Sequence, residues 1–144
     1  MDMVRLGRSF EFHAAHRLSG HRGKCRHIHG HNFRVDITIE GDRNYLDRNG
    51  MMLDFDKFKE VYEETIRAAD HTWICAAGDA EAIKSGSAYV LPPGIIPSVE
   101  GLAVHFRDVF EKRLEVVAPQ LRLFTLRVAE TERGWAEVKG KLNH

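Results

Sequence analysis

The chain has 144 residues with 21 basic and 21 acidic side chains, so its formal net charge at pH 7 is zero. This balance argues against the overall electrostatic attraction by which basic proteins bind nucleic acid or anionic membranes. No apolar run approaches the roughly 20 residues of a membrane span, and the N-terminus lacks the apolar core of a signal peptide. We therefore expect one domain over residues 1–144, located in the cytoplasm, with Cys25 and Cys75 as reduced thiols.

Two strands are predicted at the start of the chain, over about residues 4–15 and 29–41, joined by a loop rich in Gly, His and Arg. In the first strand the bulky apolar residues have even numbers, and His16 ends that face. In the second strand they have odd numbers, and His29 and His31 begin that face. The alternation therefore turns all three imidazoles toward one apolar interior.

Three histidines on core-facing positions fit a zinc site. Neutral imidazole binds zinc, and three protein nitrogens leave a fourth tetrahedral position for water or substrate. The alternative is that each histidine is a core residue hydrogen-bonded to backbone. Spacing leaves both interpretations open, because the two strands must also be neighbours for the site to close.

The rest of the chain predicts two helices, each with a capping residue, and two closing strands. Asp54 or Asp56 can cap the first helix, and Ser98 caps the second. In chain order, the helix, long loop, helix and two strands cover about residues 55–69, 70–97, 98–115, 121–130 and 134–140. The order ββααββ predicts an α+β domain with two helices on one face of a four-stranded antiparallel sheet.

One carboxylate is expected on the apolar side of the third strand. Phe124, Leu126 and Val128 share their even numbering with Glu130, which ends this strand. A buried carboxylate is costly unless a partner donates hydrogen bonds to it. That partner is either an Arg or Lys side chain at the strand end, or a ligand with adjacent NH donors.

Short motifs in a fixed order carry a resemblance to a known family. They are FHAAHRL at 12–18, CRHIHGHNF at 25–33, DF at 54–55, DH at 70–71, PSVE at 97–100 and ET at 130–131. This series resembles the 6-pyruvoyl-tetrahydropterin synthase and 6-carboxy-tetrahydropterin synthase family from about residue 8 to 140. The gap of three residues between Cys25 and His29 is similar to that of the 6-carboxy enzymes of queuosine biosynthesis.

The resemblance implies the T-fold, in which subunits join their sheets into a barrel, usually as trimers stacked in a hexamer. Such an assembly would also cover the open edges of the sheet. By position, His16, His29 and His31 match the zinc ligands of the family. The implied partner is a small pterin, with neither nucleic acid nor membrane.

The resemblance also implies roles for four further residues. Cys25 matches the catalytic thiol, Asp70 and His71 match a proton-relay pair, and Glu130 matches the glutamate that anchors the pterin. Without the resemblance, Cys25 would be an ordinary loop cysteine, and Asp70-His71 a common pair at a helix end.

The implied reaction converts 7,8-dihydroneopterin triphosphate to 6-carboxy-tetrahydropterin, acetaldehyde and triphosphate. Two alternatives remain: a sister activity, either 6-pyruvoyl-tetrahydropterin synthesis or dihydroneopterin aldolase-type cleavage, and a non-catalytic pterin-binding oligomer with structural zinc. Cys25 and the Asp70-His71 pair argue against the non-catalytic protein, since structural zinc needs neither. The segment 72–96 is longer than the corresponding link in bacterial 6-carboxy enzymes and leaves the substrate side chain open.

Overall fold

A computed structural model describes residues 2–141 of the chain. Its strands are β1 (Met3–His16), β2 (His29–Asp42), β3 (Thr72–Cys75), β4 (Ala88–Val90), β5 (Arg122–Thr131) and β6 (Gly134–Lys139). Its α-helices are α1 (Phe55–Thr65), α2 (Ala80–Lys84) and α3 (Val99–Val117). Among the described residues, no helix combines the length and apolar character needed to span a bilayer.

The long hairpin of β1 and β2 is the centre of the sheet. The two strands pair antiparallel along their whole length, which places His16 opposite His29 and Ala14 opposite His31. Even-numbered residues of β1 and odd-numbered residues of β2 face the core, as Phe12 and Phe33 show by being buried. The predicted alternation is confirmed, and the strands that carry the three histidines are direct neighbours.

The core lies between this face of the sheet and helices α1 and α3. Phe106 of α3 meets the ring of Phe12 edge-on, with centroids 5.7 Å apart. Ser98 caps α3 by accepting a hydrogen bond of 3.0 Å from the backbone N–H of Gly101, as predicted. Asp54 caps α1, which ends earlier than predicted and is followed by a short 3-10 turn at Arg67–Ala69.

The predicted four-stranded antiparallel sheet with two helices is wrong. The sheet has six strands in the order β4-β3-β1-β2-β5-β6 and is mixed, because β3 pairs parallel to β1 and β4 parallel to β3. The segment 70–97, predicted as a loop, contains β3, β4 and an additional short helix, α2. Strands of four and three residues are too short to show a period of two, so the pattern gave no signal.

A second correction concerns Phe124, which was expected on the apolar face of β5. The pairing of β2 with β5 shifts between Thr38 and Ile39, so that Leu123 is buried and Phe124 is half-exposed. Such a bulge reverses the inward face on one side of the shift. Leu126 and Val128, beyond it, are buried as predicted.

Candidate active site

The three predicted histidines come together at one end of the central hairpin. Their ring centroids lie 4.6 Å apart for His16 and His29, 4.8 Å for His29 and His31, and 5.1 Å for His16 and His31. One ring nitrogen from each lies within 4.8 Å of the others. The arrangement follows from the pairing of the strands, because His16 and His29 are cross-strand partners and His31 lies two residues further along the same face.

Backbone carbonyl groups orient two of the three rings. The Nδ1 atom of His16 donates to the carbonyl oxygen of Pro97 at 2.6 Å, and Nδ1 of His29 donates to that of His27 at 2.8 Å. Because a carbonyl oxygen can only accept, both rings carry their proton on Nδ1 and have the lone pair on Nε2. Histidines that bind metals are commonly held in this way.

The Nε2 atom of His16 makes the strongest case for a bound cation. The side chain of His16 is only 2% exposed, and its Nε2 has no hydrogen-bond partner among residues 2–141. Burial lowers the pKa of both His16 and His31, and the nearby ring of His29 acts in the same direction, although Glu130 opposes it. Neutral imidazoles with a buried, unpartnered nitrogen fit a transition metal such as zinc.

Glu130 reaches the same cluster from β5. One of its carboxylate oxygens, Oε2, lies 3.4 Å from Nε2 of His16 and 3.4 Å from Nε2 of His31. On its other side, Glu130 lines a depression of about 650 Å³ together with Thr131 and Trp135. The structure thus gives this carboxylate histidine neighbours, where sequence reasoning offered an Arg or Lys side chain or a ligand.

Asp70 and His71 form a pair next to β1. The Nδ1 atom of His71 lies 2.9 Å from Oδ2 of Asp70, and the other carboxylate oxygen accepts a hydrogen bond of 2.9 Å from the backbone N–H of His13. That hydrogen bond lowers the pKa of Asp70, and the contacts with His71 and Arg67 act in the same direction against the smaller effect of burial. His71 has a side chain that is 76% exposed, and it shares a shallow depression with His31.

Cys25 lies in a short 3-10 turn, Lys24–Arg26, within the loop between β1 and β2. Its side chain is half-buried and its thiol is free. In the described part of the chain, its Sγ does not belong to the group of ligand atoms formed by the three histidines. The structure therefore brings the histidines and Glu130 together and leaves Cys25 outside that contact.

The sequence analysis offered backbone hydrogen bonds as an alternative role for the histidines, and two are present, but it did not identify the two carbonyl groups that accept them. The first belongs to Pro97, which begins the PSVE motif quoted above, so the motif was visible while its role was not. The second belongs to His27, whose exposed side chain takes no part. Backbone acceptors carry no side-chain signature and become visible only in coordinates.

Comparison with known proteins gives a family for nearly the whole chain. Residues 5–141 match the family model described as 6-pyruvoyl tetrahydropterin synthase. A protein of Archaeoglobus fulgidus is 34% identical over 135 residues, which is 93% of this chain and 94% of the relative. The 6-carboxy-5,6,7,8-tetrahydropterin synthase of Rickettsia typhi is 30% identical over 142 residues, covering 94% of this chain and all of the relative.

The fold is also that of solved members. The 6-pyruvoyl tetrahydropterin synthase of Caenorhabditis elegans is similar, with a TM-score of 0.73 at 22% identity, covering 98% of each chain. The enzyme of the same name from Plasmodium vivax gives 0.72 at 17% identity, covering 96% of this chain and 98% of its own. With its α+β T-fold and a family match over residues 5–141, the chain belongs to the 6-pyruvoyl tetrahydropterin synthase family.

Proposed function

We propose that the chain is a zinc-dependent 6-carboxy-5,6,7,8-tetrahydropterin synthase that acts on 7,8-dihydroneopterin triphosphate. The convergence of His16, His29 and His31, with an unpartnered buried nitrogen on His16, carries the proposal. Relatives at about 30% identity that have this enzyme name support the choice among family activities. A queuosine-type pathway is the context that this reaction class implies.

The three histidines would hold the ion, and two of the rings are oriented so that Nε2 is free to bind it. The carbonyl groups of Pro97 and His27 fix the rings of His16 and His29. Zinc bound there would act as a Lewis acid on the hydroxyl oxygens of the substrate side chain and make the neighbouring C–H protons more acidic. The protein contributes a fixed donor set with a half-buried opening toward solvent at His31.

Proton transfer would fall to Cys25 and to the Asp70-His71 pair. Cys25 lies between Lys24 and Arg26 in a short turn, and its free thiol is the proposed proton-transfer group. Asp70, held by the backbone of His13, contacts Nδ1 of His71 and would orient that ring. The side chain of His71 is exposed, so it would be able to exchange a proton with water or substrate.

Glu130 would bind the pterin ring. A carboxylate accepts paired hydrogen bonds from an amino group and an adjacent ring NH, which is the donor pattern of a pterin. The depression that Glu130 lines has Trp135 on its wall and a volume of about 650 Å³, which offers room for a flat ring.

We further propose that residues 1–144 form one domain, which assembles into a trimer-based oligomer, most simply a hexamer, in the cytoplasm.

Product analysis tests this function against its relatives. Zinc-loaded protein is incubated with 7,8-dihydroneopterin triphosphate, and the products are identified by mass spectrometry. Acetaldehyde with 6-carboxy-tetrahydropterin is the expected result. A 6-pyruvoyl product or glycolaldehyde would replace the proposal with a sister activity, and unchanged substrate would contradict catalysis.

The sister activities are retained because of one feature next to the relay pair. The segment β3-α2-β4 begins at Thr72, directly after His71. It adds two strands to the edge of the sheet on the side of this pair. A wall built there can change which pterin side chain fits, without changing the metal ligands.

A further inference from the structure

Arg17 connects the end of β1 to the start of α2. It directly follows His16 in the chain and begins the loop that carries Cys25. Its Nη2 atom donates to both carboxylate oxygens of Asp79, at 2.9 and 3.2 Å, and its Nη1 atom donates to Glu81 at 3.0 Å. Charge-assisted hydrogen bonds of this kind are stronger than those between neutral groups. The guanidinium therefore joins the hairpin of the histidines to the segment β3-α2-β4.

Asp79 is the more important of the two acidic partners. Its side chain is 15% exposed, whereas that of Glu81 is 72% exposed and therefore contributes little. Asp79 also caps α2 by accepting a hydrogen bond of 3.2 Å from the backbone N–H of Ala82. In addition, the guanidinium carbon of Arg17 lies 5.1 Å from the centre of the Trp73 ring in β3. All these contacts to Arg17 come from one segment of the chain.

The residue after Arg17 is bonded to the backbone of Cys25. The N–H of Leu18 donates to the carbonyl oxygen of Cys25 at 2.6 Å, and the carbonyl oxygen of Leu18 accepts a hydrogen bond of 2.9 Å from the N–H of His21. The first of these bonds joins the turn that carries the thiol to the position next to Arg17. A displacement of Arg17 is therefore passed on to Cys25 through a single hydrogen bond.

The histidine cluster has supports of its own. His16 is the cross-strand partner of His29, and its ring is held by the carbonyl group of Pro97. These contacts come from β2 and from the segment before α3, and neither involves α2. Loss of the Arg17 contacts is therefore expected to release the loop 17–28 and to leave the histidines in place.

We propose that Arg17 and Asp79 are positioning residues for the thiol of Cys25, because their ion pair fixes the loop that carries it. This inference rests on the proposed function only in taking Cys25 as the proton-transfer group. It gives the segment β3-α2-β4 a role as the anchor of the loop. A proton-transfer group must be held within hydrogen-bond reach of its target, so a loop that is released lowers the rate of the reaction.

Two single variants and their combination test the ion pair. Arg17→Met removes the guanidinium and keeps an unbranched side chain. Asp79→Asn removes the charge and keeps a side chain that can cap α2. Glu64→Gln is the control, because it removes the charge from another Arg–Glu pair, in which Arg113 of α3 contacts α1.

Hydrogen exchange, measured by mass spectrometry on the zinc-loaded proteins, reports the Leu18 N–H bond. We expect this amide to exchange at least about fivefold faster in each single variant, and at the wild-type rate in the control. The double variant should exchange no faster than Arg17→Met alone, because the two residues act as one pair. Unchanged exchange in the single variants, or effects that add in the double variant, would overturn the proposal.

Turnover and zinc content separate the thiol from the metal. With 7,8-dihydroneopterin triphosphate we expect kcat of Arg17→Met and Asp79→Asn to fall at least about tenfold and KM to stay within about twofold. Zinc content should equal that of the wild type, because the histidines keep their own contacts. Unchanged kcat, or loss of zinc together with kcat, would contradict a role in positioning Cys25.

The exchange measurement does not depend on turnover. If the wild type forms product and the loop is unaffected by the variants, the proposed function stands and this inference is wrong. If the wild type forms no product while the loop is released as expected, the anchoring of the loop is supported and the assignment of the reaction is wrong.

Discussion

The ring of His16 is held by Pro97, which lies 81 residues further along the chain, through a hydrogen bond of 2.6 Å from Nδ1 to the carbonyl oxygen. This bond ties the end of β1 to the segment that precedes α3. Gly101, in the first turn of α3, makes the approach possible. A Cβ atom at this position would lie 1.9 Å from the carbonyl oxygen of Ile96, a backbone atom that cannot move aside without shifting Pro97.

The first prediction concerns this contact. We expect Gly101→Ala to displace the segment 95–97, to lower the free energy of unfolding by about 2 kcal/mol through overpacking, and to weaken zinc binding through loss of the His16 orientation. Thermal unfolding and chelator competition measure the two effects. Gly20→Ala is the control, because a Cβ atom there meets nothing within 4 Å. Unchanged zinc affinity in a destabilised Gly101→Ala protein would separate the Pro97 contact from metal binding.

The two cysteines give a matched test of the proposed thiol. Cys25→Ala should keep zinc and pterin binding and lower kcat at least 100-fold, as loss of a positioned proton-transfer group does. Cys75 is buried, and burial raises the pKa of its thiol, so Cys75→Ala should reduce stability and keep kcat. Steady-state kinetics on both variants decides the matter. Full activity in Cys25→Ala would remove this thiol from the mechanism.

Asp70 provides a prediction with a defined pH dependence. Its pKa in the folded protein is lowered, first by the hydrogen bond from the backbone of His13, so the ionised form is favoured by folding. The stabilisation is present above the unfolded-state pKa of about 3.9 and is lost as the pH falls through the lower folded-state pKa. We expect Asp70→Ala to unfold more easily than wild type by about 1–2 kcal/mol at pH 7, with a smaller difference below about pH 4.

Denaturant titrations at several pH values measure this difference. Asp70→Asn keeps an acceptor for the backbone N–H of His13 and loses the charge. Its free energy of unfolding should therefore lie between those of the wild type and Asp70→Ala. The same variant should lower kcat, because Nδ1 of His71 loses the carboxylate that it contacts and that would orient its ring. A stability difference that stays constant from pH 7 to pH 3 would show that the charge of Asp70 contributes nothing.

The sequence was sufficient to predict the histidine cluster for a simple geometric reason. A strand has a period of two, so the parity of Phe12 with His16 and of Phe33 with His31 decides which way the imidazoles face. Long strands such as β1 and β2, with 14 residues each, show this parity clearly. The structure adds that they are adjacent, which parity alone leaves open.

Other features depend on contacts that a local pattern does not contain. The strands Thr72–Cys75 and Ala88–Val90 are too short for a periodic signal, and their parallel pairing is set by tertiary packing. The half-exposed position of Phe124 follows from a shift in the pairing of β2 with β5, and its ring packs against the guanidinium of Arg5. The motifs still indicated the family and its T-fold, because their recognition depends on their order and spacing along the chain and not on how the strands pair.

The claim on which the proposed chemistry depends is that His16, His29 and His31 bind one zinc ion. Elemental analysis after gel filtration measures it on the wild type, on His31→Ala, and on His13→Ala as a control that removes an exposed imidazole from the other face of β1. We expect about one zinc per chain in the wild type and in His13→Ala, and almost none in His31→Ala, because a catalytic zinc site needs all three protein ligands. Wild-type protein without zinc after loading, or full zinc occupancy in His31→Ala, would contradict the claim.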